Sequence, residues 1–397
     1  MASSSNSRQA VRRRRPPAVR VLPSPRPNWR DWANLDKDLT ARMADHMLAN
    51  SLFDYVVFRR VCAPWRETTE DPKVRSVLEL RYHPRRWILL PEPDDGEGLR
   101  CLMNIDTGSK LTLDMPELLG YHVAPGSGGA PGGVLVMVED GSLTVRVFNP
   151  LTRQSMDLPS IAPLVSRRRR GRMDTDFLDM CKVTGAGFAS ESTVVLHIGM
   201  EKKLVSAKLG DESWEVISDG AQRCAVFHFA GNVYVAMMEE GLMVVDAEAT
   251  PPRLVLAAPW PHKEWNAVQM AESSAGDLLV LGNKVQRRAG NDHKTMHEVF
   301  RLDSNAGMLI RVTDLGERVL FVGEYSGGLV VSTRYLDTLM PANTICFKND
   351  QVFGKFFVRQ VSDGKTTRLL SRVQDSMFLD NLIAYISWRG RKELQTD

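Results

Sequence analysis

From Gly133 onward, short apolar runs alternate with glycine, asparagine and aspartate, and that alternation restricts the fold more than any other feature of the chain. Gly133-Val134-Leu135-Val136-Met137-Val138 reaches Asp140-Gly141, and Leu143 to Phe148 leads back, which predicts a hairpin with suitable reversal residues. Phe227 to Val235 predicts a second, turning at Gly231-Asn232, and Gly241 to Asp246 continues it. Gly276 to Leu281, Val319 to Gly323, and Phe356 to Arg359 running toward Asp363-Gly364 extend the series. Hairpins repeated over about 300 residues, with hardly a convincing helix between them, leave a β-propeller or a large β-sandwich. Units of about 40 to 50 residues give six or seven blades, and radial repetition protects sheet edges, so a propeller is the expected body.

Ahead of this mainly β body stands a small all-α segment, residues 28–72. Leu35, Leu39, Met43 and Met47 recur at i, i+4 and predict one apolar helix face, with Asp36 as its cap. Ser51 with Asp54 has the form of a start signal, after which Leu52, Tyr55, Val56 and Phe58 line a second short helix; a third begins near Val61. Lys37, Arg42, Arg59, Arg60 and Arg66 fall between the apolar positions. Three short helices cannot satisfy that much apolar surface alone, so it packs onto the β body or onto a partner.

The segment resembles an F-box. The matching residues are Leu35, Leu39 and the closing block Val61-Cys62-Ala63-Pro64-Trp65-Arg66; Asp36 stands where the family usually has proline and Thr40 where a second leucine is common. Over about residues 75 to 390 the body is similar to the plant DUF295, or KIB-type, propellers. The resemblance rests on Asn149-Pro150-Leu151-Thr152 with Leu158-Pro159, Trp214-Glu215-Val216-Ile217, His228 to Tyr234, Val299 to Asp303, Asp314 to Gly323 and Asn343 to Phe347. The arrangement implies a disordered basic tail over 1–27, the F-box over 28–72 and the propeller over 73–393. It also implies Leu35, Leu39, Met43, Val56, Val61 and Trp65 as the surface that meets a Skp1-type adaptor and, through it, a cullin.

Charge is unevenly placed. Residues 1 to 30 hold eight arginines and no acid; without them the remaining basic residues are outnumbered by the 48 acidic ones. A mildly acidic body argues against a nucleic-acid groove, which needs a basic face on the folded domain. Arg12-Arg13-Arg14-Arg15 reads either as a nuclear-import signal or as a solvated tail, and the Ser/Arg-rich start also fits, less well, an organellar transit peptide. The odd set of cysteines (Cys62, Cys101, Cys181, Cys224, Cys346) contains no C-x-x-C and fits buried thiols in a reducing compartment. With no run of 18 apolar residues, no membrane partner is expected, and the chain is expected in the nucleus or cytoplasm.

Chemistry leaves few marks. Gly364-Lys365-Thr366 ends like a phosphate loop, yet position 359 is Arg359 rather than glycine, so a hairpin turn is predicted. His293 and His297 have the spacing of a helical metal pair but lack the intervening glutamate, and a polar loop is expected. Arg167 to Arg172 reads as a solvated insertion, and Trp214, Trp260, Trp265 and Trp388 as core or blade-edge residues. No catalytic residue, metal or cofactor is predicted. The resemblance therefore implies a non-catalytic substrate receptor of a cullin-type ubiquitin ligase that holds an unknown protein target; the alternative is a propeller scaffold, nuclear or organellar, with a degenerate F-box outside any ligase.

Overall fold

The computed structural model describes residues 30–91, 99–124, 133–166, 183–222, 224–262, 265–287, 293–323, 327–336, 340–349, 355–369, 382, 383 and 385. The basic tail with Arg12 to Arg15, the run Arg167 to Arg172, Cys181 and Trp388 lie outside them. Three helices come first: α1 (Lys37–Asn50), α2 (Leu52–Arg59) and α3 (Ala63–Thr68). Asp36 caps α1, its Oδ1 accepting from the Asp38 and Leu39 amides at 2.9 and 3.2 Å, and Ser51 Oγ caps α2 from Asp54 N at 3.4 Å.

Six sheets follow. The first joins β1 (Trp87–Leu89), β2 (Leu99–Asn104) and β3 (Lys110–Asp114). The second is β4 (Tyr121–Val123), β5 (Leu135–Glu139), β6 (Thr144–Phe148) and β7 (Ser155–Ser160). The third is β8 (Val183–Phe188), β9 (Thr193–Ile198), β10 (Lys203–Lys208) and β11 (Glu215–Asp219), and the fourth β12 (Ala225–Phe229), β13 (Asn232–Met237), β14 (Gly241–Asp246) and β15 (Arg253–Ala258). The fifth is β16 (Ala267–Glu272), β17 (Leu278–Arg287), β18 (His293–Asp303) and β19 (Met308–Val312). The sixth contains β20 (Arg318–Val322), β21 (Leu329–Ser332), β22 (Thr344–Asn349), β23 (Lys355–Gln360) and β24 (Thr366–Arg368) in the order β21-β20-β22-β23-β24, with β20 and β22 parallel.

These sheets close into a six-bladed propeller, and the alternation of side chains along each strand explains how. Along β5, Val136 and Val138, with the preceding Val134, pack against the third sheet, while Leu135 and Met137 pack against the first. On β20, Val319 and Phe321 face the first sheet and Leu320 and Val322 the fifth. Every neighbouring pair of blades shares an apolar cluster of this kind, including first with last, where Leu382 and Tyr385 also contribute. A strand buried on both faces needs a continuous apolar run rather than strict alternation. Polar stitches reinforce the joints: Trp214 Nε1 donates to the Pro159 carbonyl at 2.8 Å, His228 Nδ1 to Phe188 at 2.7 Å, Gly328 N to Met270 at 2.8 Å, and Gln269 Nε2 to Gly323.

Two local expectations change. The β12–β13 reversal falls at Ala230-Gly231, both with positive φ (49° and 78°), one residue earlier than Gly231-Asn232, because Asn232 already pairs with Phe229. His293 and His297 lie on strand β18, not in a loop, paired with Arg287 and Asn283 of β17. Gly364 (φ 68°) does sit in the β23–β24 hairpin.

Candidate functional site: the helical module and its anchorage

The helices present two different faces. Ala44 of α1 with Leu52, Tyr55 and Phe58 of α2 form a buried cluster with Tyr82, against which Met43, Met47, Val56, Trp65 and the propeller residue Leu151 pack. Phe53 meets Trp87 at the start of β1, ring centroids 5.5 Å apart. One side of the module is therefore sealed onto the first two blades. Away from it, Leu39 is 50%, Val57 45%, Val61 59% and Trp32 53% exposed.

The six residues assigned to an adaptor divide accordingly. Leu39 and Val61 stand open, Leu35 is half-buried, and Met43, Val56 and Trp65 are half-buried against the internal cluster. Trp65 stacks on Phe58 at 4.5 Å and donates from Nε1 to the Trp32 carbonyl at 2.9 Å, so it holds the module together as well as edging its surface. Val57 and Trp32 are open positions that the helical spacing did not single out. Both departures from the F-box pattern are satisfied inside α1: Asp36 is the cap, and the buried Thr40 donates its hydroxyl to the Asp36 carbonyl at 2.9 Å.

Arg59, placed by the sequence among solvent-facing positions, is buried. Its guanidinium donates to the carbonyls of Arg66 (3.3 Å) and Thr69 and to Thr69 Oγ1 (3.0 Å), and pairs with Asp71 at 3.3 Å. One cation thereby ties the end of α2 to the end of α3. Glu70 extends the network. Its backbone carbonyl accepts from Tyr55 Oη at 2.7 Å, and its carboxylate from Tyr82 Oη at 2.9 Å and from Arg75 and Arg81. Arg75, chiefly, holds that carboxyl below its ordinary range.

Residues 77–86 then cross the end of the propeller. Val77 and Leu78 join the cluster between the second and third blades, and the Tyr82 carbonyl accepts from Asn149 Nδ2 at 2.8 Å. The buried His83 ring meets Phe188 at 5.2 Å. Its Nε2–H donates to the Val77 carbonyl at 3.2 Å, and burial, then His228, push its pKa down to about 3. Pro84 lies against Gly133 so closely that only glycine fits there. Arg86, at φ 66°, donates to Asp106 through Nε (2.8 Å) and Nη2 (2.5 Å) and to the Val330 carbonyl at 3.2 Å. Glu272, at the end of β16, has its carboxyl pKa raised by burial against the opposing pull of Arg86 and Arg85. The connector thus reaches the second to sixth blades before leading into the first.

Titratable groups inside the blades are quenched rather than activated. His297 packs against Phe347 at 4.2 Å, and burial, then Arg359, lowers its pKa to about 3. His197 is held low by burial, with Nε2 donating to the Ala221 carbonyl at 3.0 Å. Burial pushes the Cys224 and Cys346 thiols up to about 12, far from thiolate chemistry at neutral pH. Among the described residues, no three His, Cys, Asp or Glu side chains gather as metal ligands.

The family model of the KIB1-4 beta-propeller matches residues 102–369. The chain belongs to this family. In this KIB1-4 propeller the match begins inside β2 and ends just after β24, so it takes in the blades from β2 onward but not β1, the helices or the connector. No curated protein is a significant match to the sequence. Among solved structures, a protein of unknown function from Bacteroides thetaiotaomicron is 9% identical, covering 72% of this chain and 69% of its own, with a TM-score of 0.33. TolB from Acinetobacter baumannii is 10% identical over 73% of this chain and 65% of its own (TM-score 0.36), and a chain of a nidogen/laminin complex 9% over 71% and 91% (TM-score 0.34). At these scores the likenesses carry no argument.

Proposed function

We propose that this KIB1-4 propeller is the substrate-recognition subunit of an SCF-type cullin ubiquitin ligase, its helices being an F-box that binds a Skp1-type adaptor and its blades holding a target protein. The observation that carries this reading is the two-faced module: one face is consumed by the propeller while Leu39, Val57, Val61 and Trp32 remain uncovered. Exposed apolar side chains on a small helical unit are what a partner would bury, each contributing up to about 1.5–3 kcal/mol. The contribution to rate would be raised local concentration of the target rather than bond chemistry, so the chain itself is read as non-catalytic and free of cofactors, acting in the nucleus or cytoplasm.

Co-purification with a Skp1-type adaptor tests the reading. Leu39→Asp and Val61→Asp change exposed positions and should leave the fold intact while abolishing retention; Trp65→Ala is less suitable because Trp65 also braces Phe58. Retention of the wild type with loss of both variants is expected. If the wild type is not retained where another F-box protein is, the scaffold outside any ligase becomes the better account.

A further inference from the structure

Arg359 on β23 is a buried cation that the described fold leaves without an anion. It is 6% exposed and stands opposite Ile345 of β22 and Thr366 of β24. Its side of the sheet also carries Phe357 and Phe347, stacked at 6.1 Å in the apolar cluster between the fifth and sixth blades. Among the described residues its guanidinium makes one hydrogen bond, from Nη1 to Thr366 Oγ1 at 3.3 Å, and no ion pair. The carboxylates in the vicinity are already occupied: Glu298 by Arg311 and His262 at 3.4 and 3.6 Å, and Asp363 Oδ1 by the Lys365 amide at 2.8 Å. Burial lowers the Arg359 pKa, with Asp363 and Glu298 opposing from beyond ion-pair distance. Arg59 and Arg86, in contrast, each meet a carboxylate directly, Asp71 and Asp106.

The guanidinium is held in place and still reachable. Its Nε and Nη2 make no hydrogen bond among the described residues, yet neither is fully enclosed, so both face space that a ligand can enter. A Cβ on Gly364 would fall 2.6 Å from Nη2 and 3.3 Å from Cζ, so the fork lies on bare backbone of the β23–β24 turn. Arg368, opposite Phe357, projects on the same side of the sheet as Arg359, a diagonal cross-strand neighbour within reach of long side chains. It is exposed, as is Lys365 in the turn, and neither forms an ion pair among the described residues. The amides of the turn are consumed, Gly364 N by the Gln360 carbonyl at 3.0 Å and Lys365 N by Asp363. An anion at Gly364-Lys365-Thr366 is therefore held by side chains and not by the backbone cradle of a phosphate loop. A buried charge left uncompensated is costly, and an anionic ligand removes that cost.

We propose that Arg359 is the centre of an anion-binding site for a phosphoryl group, with Arg368 and Lys365 completing it. Three cations against the single carboxylate of Asp363 suit the dianion of a phosphate monoester better than one carboxylate. The open edge of the guanidinium offers Nε and Nη2 as two parallel donors, the bidentate arrangement that matches two phosphoryl oxygens. Free phosphate and a phosphorylated side chain present the same chemistry, and the experiment separates them. None of these residues belongs to the helices, so the site stands whether or not an adaptor binds there.

The test melts the full-length chain at pH 7.5 and constant ionic strength while inorganic phosphate replaces chloride. Binding to the folded chain raises the midpoint with phosphate concentration. Phosphate also stabilises folded proteins generally, an effect that Arg359→Met retains, so the readout is the difference between wild type and this variant. Without phosphate, Arg359→Met should melt at the wild-type temperature or above, because an uncompensated cation has gone; with phosphate, it should lose the saturable part of the rise. Lys365→Gln/Arg368→Gln changes exposed positions, should fold normally and should bind phosphate about fivefold or more weakly in a phosphorus-NMR titration. Tighter binding of N-acetyl-phosphoserine N-methylamide than of inorganic phosphate supports the site and identifies a phosphorylated side chain as the source; the reverse order supports it with free phosphate as the source. Equal phosphate-dependent rises in wild type and Arg359→Met, an equal saturable rise with acetate, or an unchanged double variant would overturn the proposal. So would a lower phosphate-free midpoint for Arg359→Met, which would show the cation already compensated within the fold. Adaptor co-purification does not read this site, so either idea can fail without the other.

Discussion

Gly133→Ala should loosen the connector, and a second glycine supplies the control. Gly133 has φ 62°, and an added Cβ would lie 2.1 Å from the Pro84 carbonyl oxygen and 2.9 Å from its carbon. Gly141 has φ 87° but nothing within 4 Å of its Cβ position. Alanine in left-handed backbone costs about 1–2 kcal/mol at either site. Only Gly133→Ala adds overpacking, about 1–3 kcal/mol more, because backbone atoms rather than a flexible side-chain tip must give way. Gly141→Ala should then lose about 1–2 kcal/mol and Gly133→Ala about 2–5. Urea unfolding of the full chain, followed by tryptophan fluorescence and by circular dichroism, measures both. Trypsin supplies a local readout, since Arg75, Arg81 and Arg85 are exposed on the connector. Gly133→Ala should accelerate cleavage there and Gly141→Ala should not. Equal losses in the two variants, or a connector as resistant in Gly133→Ala as in the wild type, would refute the clamp between Pro84 and the second blade.

Other outcomes follow from the buried cations and imidazoles. His83 and His297, held neutral with pKa values of about 3, take up protons only on unfolding, where the ordinary value is about 6.5. Their contribution is complete above about pH 6.5 and is lost as the pH falls toward 3; at pH 5.5 the two together should cost about 3 kcal/mol. Urea midpoints at pH 7.5 and 5.5 check this, and His83→Gln should remove about half of that roughly 3 kcal/mol. Arg59→Met leaves the Arg66 and Thr69 carbonyls and the Asp71 carboxylate without their shared donor; a loss of about 2–3 kcal/mol is expected, seen as faster proteolysis between α2 and α3 while the propeller keeps its transition.

Much of the fold was legible because its causes are local. Val134 to Val138 and Val319 to Val322 are apolar at every position, as strands buried on both faces must be, and Asp36 and Ser51 mark helix starts through bonds spanning two or three residues. What remained hidden depends on distant neighbours. The parallel pairing of β20 with β22 is a choice of partner that no strand carries in its own pattern. Arg59 read as a surface charge because its acceptors lie 7 and 10 residues on, in carbonyls that sequence does not distinguish. His297 read as loop because of the flanking Gly290-Asn291-Asp292, and its packing on Phe347 of another blade is a contact that its own segment does not announce. The division of the helices into a sealed and an open face needed Leu151 and Trp87.

The stretch that spans the mouth of the ring has a temporal consequence. It leaves the ribosome ahead of every strand it will touch; its last contact, from Arg86 to Val330, is made 244 residues later. Until then His83, Leu78 and Tyr82 are greasy or uncharged groups facing water, and the ring must assemble around them as around a spindle. A message cut short before the sixth sheet would therefore release a product exposing its own axle, which is the kind of surface that chaperones and proteases seize.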